Sequence, residues 1–491
     1  MRSIQLFSVI ACASLIPIAA ARFTSRTEAA QGNQPPPPNI VVIFTDDQGY
    51  GDLGSFGHPT IRTPVLDSLA SEGQRWTSFY GAPVCTPSRA QLMTGRLAVR
   101  TGLVGGVLFP ESQGGLQPEE ITVAEVLKAR GYATMAIGKW HLGHLPKYLP
   151  TNQGFDSYYG IPYSNDMDRT YGISREESFR QYMDPRLEFF KVPLLRNEKE
   201  LERPADQTTI TRRYTDEAIT FIRDNRARPF FVYLAHNMPH MPLYRSPEFE
   251  GHSVRGKYGD VIEEIDANVG RIMTTLRELK LERNTLVVFL SDNGPWAPYL
   301  EQGGSAGLLR GAKGSNWEGG VRVPAIFSWP GTVAKGVITG MGSELDLLPT
   351  FAKLAGGTVP ADRPIDGVDL SETLKKGGRS PRQELFYYGA RLVAVRQGSH
   401  KLHLAAAQGQ RGQRGQGAPA AEQAGAQQAP GANGPELYNL DVDPSEKFDL
   451  SNQLPEVVAR LQKVADDHVA SVKPAPSQLG GGPGRGRGGQ Q

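Results

Sequence analysis

A chain of 491 residues, 39% of them apolar, buries a large core and accommodates one big domain with a smaller companion. Its formal net charge of +2 carries no basic excess, which argues against nucleic acid as a partner. Arg2, the apolar run Leu6 to Ala20 and the small residues Ala19-Ala20-Ala21 predict a cleavable signal peptide over 1–21, with a periplasmic or secreted destination. The run is shorter than the about 20 residues of a membrane span, so no stable span is expected. Of the two cysteines, Cys12 lies inside the signal, which leaves Cys85 alone and the mature chain without an internal disulfide. A lipidation box at Val9-Ile10-Ala11-Cys12 is disfavoured by the short apolar segment before it.

A polar linker over 22–38, ending in Pro35-Pro36-Pro37-Pro38, is expected to be extended. The β-branched run Asn39 to Phe44 predicts a buried strand. Pro64 to Glu72 predicts a helix with Pro in its first turn and Gly73 as its stop. Thr122 to Arg130 is a helix closed by Gly131, followed by a strand over Ala133 to Ile137. Arg212 to Asp224 leads as a helix into the strand Pro229 to Ala235. Tyr258 to Leu279 is the longest helix, and Thr285 to Leu290 is the strand after it. Helices alternating with apolar strands predict an α/β main domain over 39–375, its parallel sheet covered on both faces.

The remainder differs in kind. Glu384 to Leu404 and Glu436 to Leu440 read as strands and Pro455 to Val472 as a helix, predicting a smaller α+β subdomain over 376–478. Between the strands, Ala405 to Gly434 is dominated by Gln, Gly, Ala and Pro and lacks the apolar bulk that would offset ordering entropy, so a disordered surface insertion is expected. Residues 479–491 form a Gly/Arg tail with too few arginines to argue for RNA.

Two strands run into acidic pairs, Asp46-Asp47 and Asp292-Asn293. In open α/β sheets ligands sit beyond the carboxyl ends of the strands, where these side chains gather. Carboxylates and an amide oxygen, with no imidazole beside them in sequence, suit a hard cation; Ca²⁺ fits a cage of this many oxygens, and Mg²⁺ stays open. The bland alternative is that each Asp caps the turn after its strand. Lys139-Trp140-His141 also follows a strand, as does His236-Asn237-Met238-Pro239-His240-Met241-Pro242, where prolines stiffen the loop around His240. The Gly-rich segment Gly307 to Gly320 carries Lys313 at its middle and allows backbone to approach an anion. It lacks the spacing of a nucleotide-binding P-loop.

The stretch Cys85-Thr86-Pro87-Ser88-Arg89, followed by Thr94-Gly95-Arg96, resembles the signature of type I sulfatases. The resemblance to that family, and within it to arylsulfatases, runs from Asn39 to about Gln478, and its segments fall in the family's order. Firm stretches include Asp46 to Gly54, Gly138 to Gly143, Gly160 to Ser164, Leu308 to Pro324, and Glu436-Leu437-Tyr438-Asn439-Leu440 with Asp443-Pro444. It implies an alkaline phosphatase-like fold, a large mixed or parallel sheet sandwiched by helices with a smaller C-terminal α+β subdomain. It implies that a maturation enzyme oxidises Cys85 to formylglycine, whose hydrated aldehyde attacks the sulfur of a sulfate ester. It implies one Ca²⁺ held by Asp46, Asp47, Asp292, Asn293 and the modified Cys85. It implies that Arg89 steadies that residue, that Lys139, Ser164, His240 and Lys313 contact the sulfate ester, and that His141 assists the nucleophile. The single cysteine departs from disulfide-rich family members, and oligomerisation stays open.

A fixed ring of cations suits the charge that sulfuryl transfer spreads over oxygen, and a protonated His240 would donate to the leaving oxygen. Two rivals remain: a phosphonate or phosphate ester hydrolase of the same superfamily, and a non-catalytic binder of sulfated ligands in which Cys85 stays a thiol. Aryl sulfates, sulfated glycans and sulfolipids all fit as substrates.

Overall fold

The computed structural model describes residues 36–169, 173–405 and 434–480. The predicted signal peptide, the core of the Gln/Gly/Ala insertion and all but the start of the Gly/Arg tail lie outside these residues. From Pro37 onward the described chain forms one compact unit.

Ten strands make the main sheet: β1 Asn39–Thr45, β2 Gln74–Tyr80, β3 Ala133–Gly138, β4 Ser157–Gly160, β5 Leu194–Arg196, β6 Lys199–Glu202, β7 Phe230–Ala235, β8 Thr285–Ser291, β9 Arg322–Ser328 and β10 Gly336–Ser343. Their order is β10-β2-β9-β8-β1-β7-β3-β4-β5-β6. β1, β3, β7 and β8 are buried along their whole length, as their apolar, non-alternating sequences require. These four are parallel neighbours, Ile40 pairing with Phe231 on one side and Leu286 on the other, and Ala133 with Phe230.

Strand-helix alternation predicts a parallel sheet and the family resemblance a mixed or parallel one; the observed sheet is mixed. β9 runs antiparallel to β8 and β2, and β4, β5 and β6 are antiparallel in turn. The cause is the connection from Asp292 to Val321. It holds only short helical turns, so the chain turns back along the sheet instead of crossing its face to start another parallel strand.

Local signals account for many boundaries. The helix Pro64–Glu72 has Pro64 at its first position and Gly73 at its end. Thr122 and Glu125 form a reciprocal capping box at the start of the helix Val123–Lys128. The helices Ile210–Asp224 and Lys257–Glu278 pack on one face of the sheet with Ile219, Ile222, Ile265 and Ile272 in a core shared with Val41, Ile43 and Val232. Helices Val123–Lys128 and Leu347–Leu354 cover the other face through Leu127, Leu348 and Phe351 against Ile40, Val42 and Phe231.

The C-terminal sheet is an antiparallel meander of β11 Glu384–Tyr388, β12 Leu392–Gln397, β13 His400–His403 and β14 Glu436–Asn439. The single run read over Glu384 to Leu404 is therefore three strands, turning near Gly389 and at Gly398, whose φ is +60°. The helix Pro455–Ser471 lays Leu461 and Ala465 on Val395, Leu402 and Leu437. No helix among the described residues is long and apolar enough to cross a membrane.

Candidate active site

β8, β1, β7 and β3 are adjacent and parallel, so their carboxyl ends bring four loops together. Asp46-Asp47 follows β1, Asp292-Asn293 follows β8, Lys139 to His141 follows β3, and the loop to His240 follows β7. Ser164, from the loop after β4, and Lys313, from the loop before β9, complete the group. All the predicted site residues except Lys313, which is partly buried, are fully enclosed.

Cys85 is the first residue of the helix Cys85–Thr94, every position of which is buried although half its side chains are polar. Its Sγ donates to Asp46 Oδ1 at 3.3 Å. Burial pushes the thiol well above its usual range, and the charges of Asp292 and Asp46 push the same way, so a thiolate is disfavoured. Arg89 lies one helical turn on, under the same end of the sheet. It donates to Asp292 Oδ2 at 2.8 Å and to the Lys139 carbonyl at 2.9 Å. Burial opposes its charge, but Asp292 and Asp46 outweigh burial and raise its pKa.

The two lysines each hold a carboxylate. Lys139 Nζ donates to Asp46 Oδ2 at 2.6 Å and to Ser164 Oγ at 3.3 Å. Lys313 Nζ donates to Asp47 Oδ2 at 2.7 Å and to His240 Nε2 at 2.9 Å. Burial, reinforced by Asp292, raises the Asp47 carboxyl against the lowering effect of Lys313. Burial and Asp46 likewise raise Asp292. A bound cation would relieve both.

The histidines have defined tautomers. His141 Nε2 lies 2.9 Å from the Leu108 carbonyl, which can only accept, so Nε2 carries the proton and the buried Nδ1 has no hydrogen-bond partner. Burial and the charges of Lys139 and Arg89 hold this imidazole well below its usual pKa. His240 Nδ1 donates to the Met241 carbonyl at 2.5 Å, which leaves Nε2 to accept from Lys313. In the free site His240 is therefore neutral, and the donor role expected of a protonated His240 needs a proton at Nε2. Burial and Lys313 push its pKa far down, and the proton facing the pocket belongs to the lysine. Asp47 and His141 both sit in left-handed backbone, with φ of +62° and +58°, a strain typical of functional positions.

The oxygen set fits a hard cation. Asn293 Nδ2 donates to Asp47 Oδ1 at 2.7 Å, while its Oδ1 is buried with no donor, an orphan that a cation would satisfy. Asp46, Asp47, Cys85 and His240 each bring a ligand atom within 4.8 Å of the others. That set has His240 where the sequence reading has Asp292 and Asn293; Asp292 accepts from Arg89 at Oδ2 and from the Asp47 N–H at Oδ1. Oxygen donors suit a hard cation better than an imidazole does.

Trp296 was not anticipated. Its ring centre lies 4.9 Å from that of His240 and 4.2 Å from Lys313 Nζ, so one indole backs both groups. The available signal was an aromatic residue just past Asp292-Asn293-Gly294-Pro295.

Comparison with known proteins agrees with this geometry. Residues 38–357 match the sulfatase family and residues 380–483 the C-terminal region of aryl-sulfatase. Arylsulfatase A of Homo sapiens is 43% identical over 472 residues, covering 91% of each chain. N-acetylgalactosamine-6-sulfatase of Mus musculus is 38% identical, covering 91% of this chain and 88% of its own. The solved structure of Ps i-CgsB in complex with k-i-k-neocarrahexaose superposes with a TM-score of 0.73 at 30% identity, over 90% of this chain and 94% of that one. With the family's two regions matched in order and the fold shared, the chain belongs to the sulfatase family and is a sulfuric ester hydrolase.

Proposed function

We propose that the chain hydrolyses sulfate esters with a formylglycine made from Cys85 and a Ca²⁺ held by Asp46, Asp47, Asp292 and Asn293. The observation that carries this reading is the charge balance around Cys85. The buried carboxylates Asp46, Asp47 and Asp292 face the cations Arg89, Lys139 and Lys313. These side chains neutralise one another, so a divalent cation adds the positive excess that an incoming sulfate ester anion matches. Bound there, Ca²⁺ would supply charge neutralisation and Lewis acidity toward the sulfate group. A formylglycine at position 85 would supply a hydrated aldehyde, one hydroxyl to take the sulfuryl group as the ester S–O bond breaks and the alcohol leaves, the other to expel sulfate as the aldehyde reforms.

The chain's own groups have separable tasks. Arg89, tied to Asp292 and the Lys139 carbonyl, fixes the helix turn that presents residue 85. His141, with Nε2–H held by Leu108, keeps Nδ1 as a base for the nucleophile's proton. Lys139 and Ser164 receive sulfate oxygens on one side. On the other side Lys313 meets a sulfate oxygen as a fixed charge, and His240, once protonated at Nε2 in the substrate complex, donates to the leaving oxygen. Residues 39–375 carry this machinery, 376–478 form the companion subdomain, the signal over 1–21 directs export, and a formylglycine-generating enzyme is the maturation partner.

Mass spectrometry of the peptide containing Cys85, from protein made with such an enzyme, is expected to show sulfur replaced by oxygen with two hydrogens lost. Dialysis against EGTA should remove turnover of a nitrophenyl sulfate, and Ca²⁺ should restore it. An unmodified Cys85 in fully active protein would end the formylglycine reading, and activity indifferent to exhaustive chelation would end the metal reading. Substrate range is read by free sulfate from aryl, N-acetylgalactosamine 6-, steryl and polysaccharide sulfates.

A further inference from the structure

Lys313 sits in a segment whose composition opposes a fixed shape. Gly307, Gly311 and Gly314 all have positive φ, and nothing in the segment packs as core except Leu309 and Trp317. An ammonium that must meet a transferred group needs a rigid base, and here that base comes from the C-terminal subdomain. Before Lys313, Ser445 Oγ donates to the Leu308 carbonyl at 2.6 Å, and Arg310 donates to the Glu446 carbonyl at 2.9 Å. After it, Lys401 Nζ donates to the Asn316 carbonyl at 2.8 Å, and the Glu318 N–H donates to Glu446 Oε2 at 2.7 Å. Lys401, fully buried in β13, bridges Glu318 and Glu446 at 2.9 Å each, and His403 reaches Glu446 Oε1 at 2.8 Å. Glu446 itself lies in left-handed backbone, φ +51°, and is fully buried. A strained, buried carboxylate with this many partners is held for what it holds.

We propose that Glu446, with Lys401, is a positioning element for sulfate ester hydrolysis, clamping the loop on both sides of Lys313 so that its ammonium stays between Asp47 and His240. The C-terminal sheet thereby takes part in turnover without touching substrate. The proposal rests on Lys313 contacting the sulfate ester.

The test is a double-substitution cycle on the full-length enzyme with a nitrophenyl sulfate. Lys313→Met alone should lower kcat strongly; a normal kcat there would overturn the role of Lys313 and with it the basis of the proposal. Glu446→Gln alone should lower kcat by about tenfold or more with KM nearly unchanged, because a misplaced group costs transition-state contacts first. Adding Glu446→Gln to Lys313→Met should then change kcat by less than about twofold. A Glu446→Gln loss of equal size in both backgrounds would overturn positioning, because a general structural fault does not depend on Lys313. A near wild-type kcat for folded Glu446→Gln would overturn it too. Should Glu446→Gln fail to fold, His403→Asn weakens the hold on Glu446 Oε1 while Lys401 keeps both carboxylates, and it carries the same cycle.

Discussion

At the scale of single residues, the pocket separates groups that carry charge from groups that carry protons. Asp47 holds Lys313 as a cation, whereas His240, neutral in the free site, must gain a proton before it can donate one. Removal of Lys313 should slow all sulfate esters alike, by about 3 kcal/mol of barrier, as for other preorganised donors. His240→Ala should instead slow an alkyl or sugar sulfate far more than an activated nitrophenyl sulfate, whose leaving oxygen needs little help. Across phenyl sulfates of graded leaving-group pKa, a kcat/KM slope for His240→Ala no steeper than that of the unmutated enzyme would leave His240 as a contact only. Cys85→Ser should retain the fold, since one small buried side chain replaces another, and lose multiple turnover, because a plain hydroxyl keeps the sulfate it accepts. Sustained sulfate release by that variant at wild-type rates would contradict the formylglycine route.

Among the elements, legibility followed the strength of local signals. Pro64 and Gly73 bracket a helix in the sequence as they do in the structure, and the strands of continuous apolar residues at 39, 133, 230 and 285 could be placed within a residue or two. The helix Cys85–Thr94 could not be read by periodicity, because it is buried on every side while its sequence is mixed. β9 was hidden by Pro324 within it, a residue that argues against an inner strand. The site was legible where chemistry recurs in short motifs, as at Asp46-Asp47 or Cys85 to Arg89. Glu446 escaped notice because its partners stand far away along the chain, and Trp296 because its place just past Asp292-Asn293 was its only local signal.

An element-level consequence concerns pH. His468, in the helix Pro455–Ser471, stacks on Phe386 at 3.5 Å and bonds to the Tyr388 hydroxyl at 3.0 Å. Burial pushes its pKa down from 6.5 to about 4. Between those values the unfolded chain holds the proton more tightly, so the contribution to stability is whole above about pH 6.5 and declines as pH falls toward about 4. His468→Gln removes this titration and should flatten the decline in Tm between pH 7 and pH 5. Identical slopes for the two proteins would show that His468 does not couple folding to pH.

For the whole molecule, β13 and β14 are joined through the Gln/Gly/Ala segment yet pair directly, His403 opposite Glu436. The two ends of that long connection are therefore neighbours across a hairpin. Replacing residues 405–434 with a two-residue Asn-Gly turn should leave Tm and nitrophenyl sulfate turnover nearly unchanged, since long surface insertions add little closure entropy. A marked fall in Tm would mean the insertion packs on the body, and a loss confined to a polymeric sulfate would mean it grips substrate.

The gathering of four strand ends also sets an order in time. Asp47 and Asn293 bond across 246 residues of sequence, Lys313 follows later, and the residues that brace its loop come last of all, near 446. If that bracing is needed, a ribosome must release almost the entire chain before Lys313 is held in place. No truncated product that stops short of the C-terminal sheet should turn over sulfate ester at the full rate, which makes activity itself a readout that synthesis and folding have both run to completion.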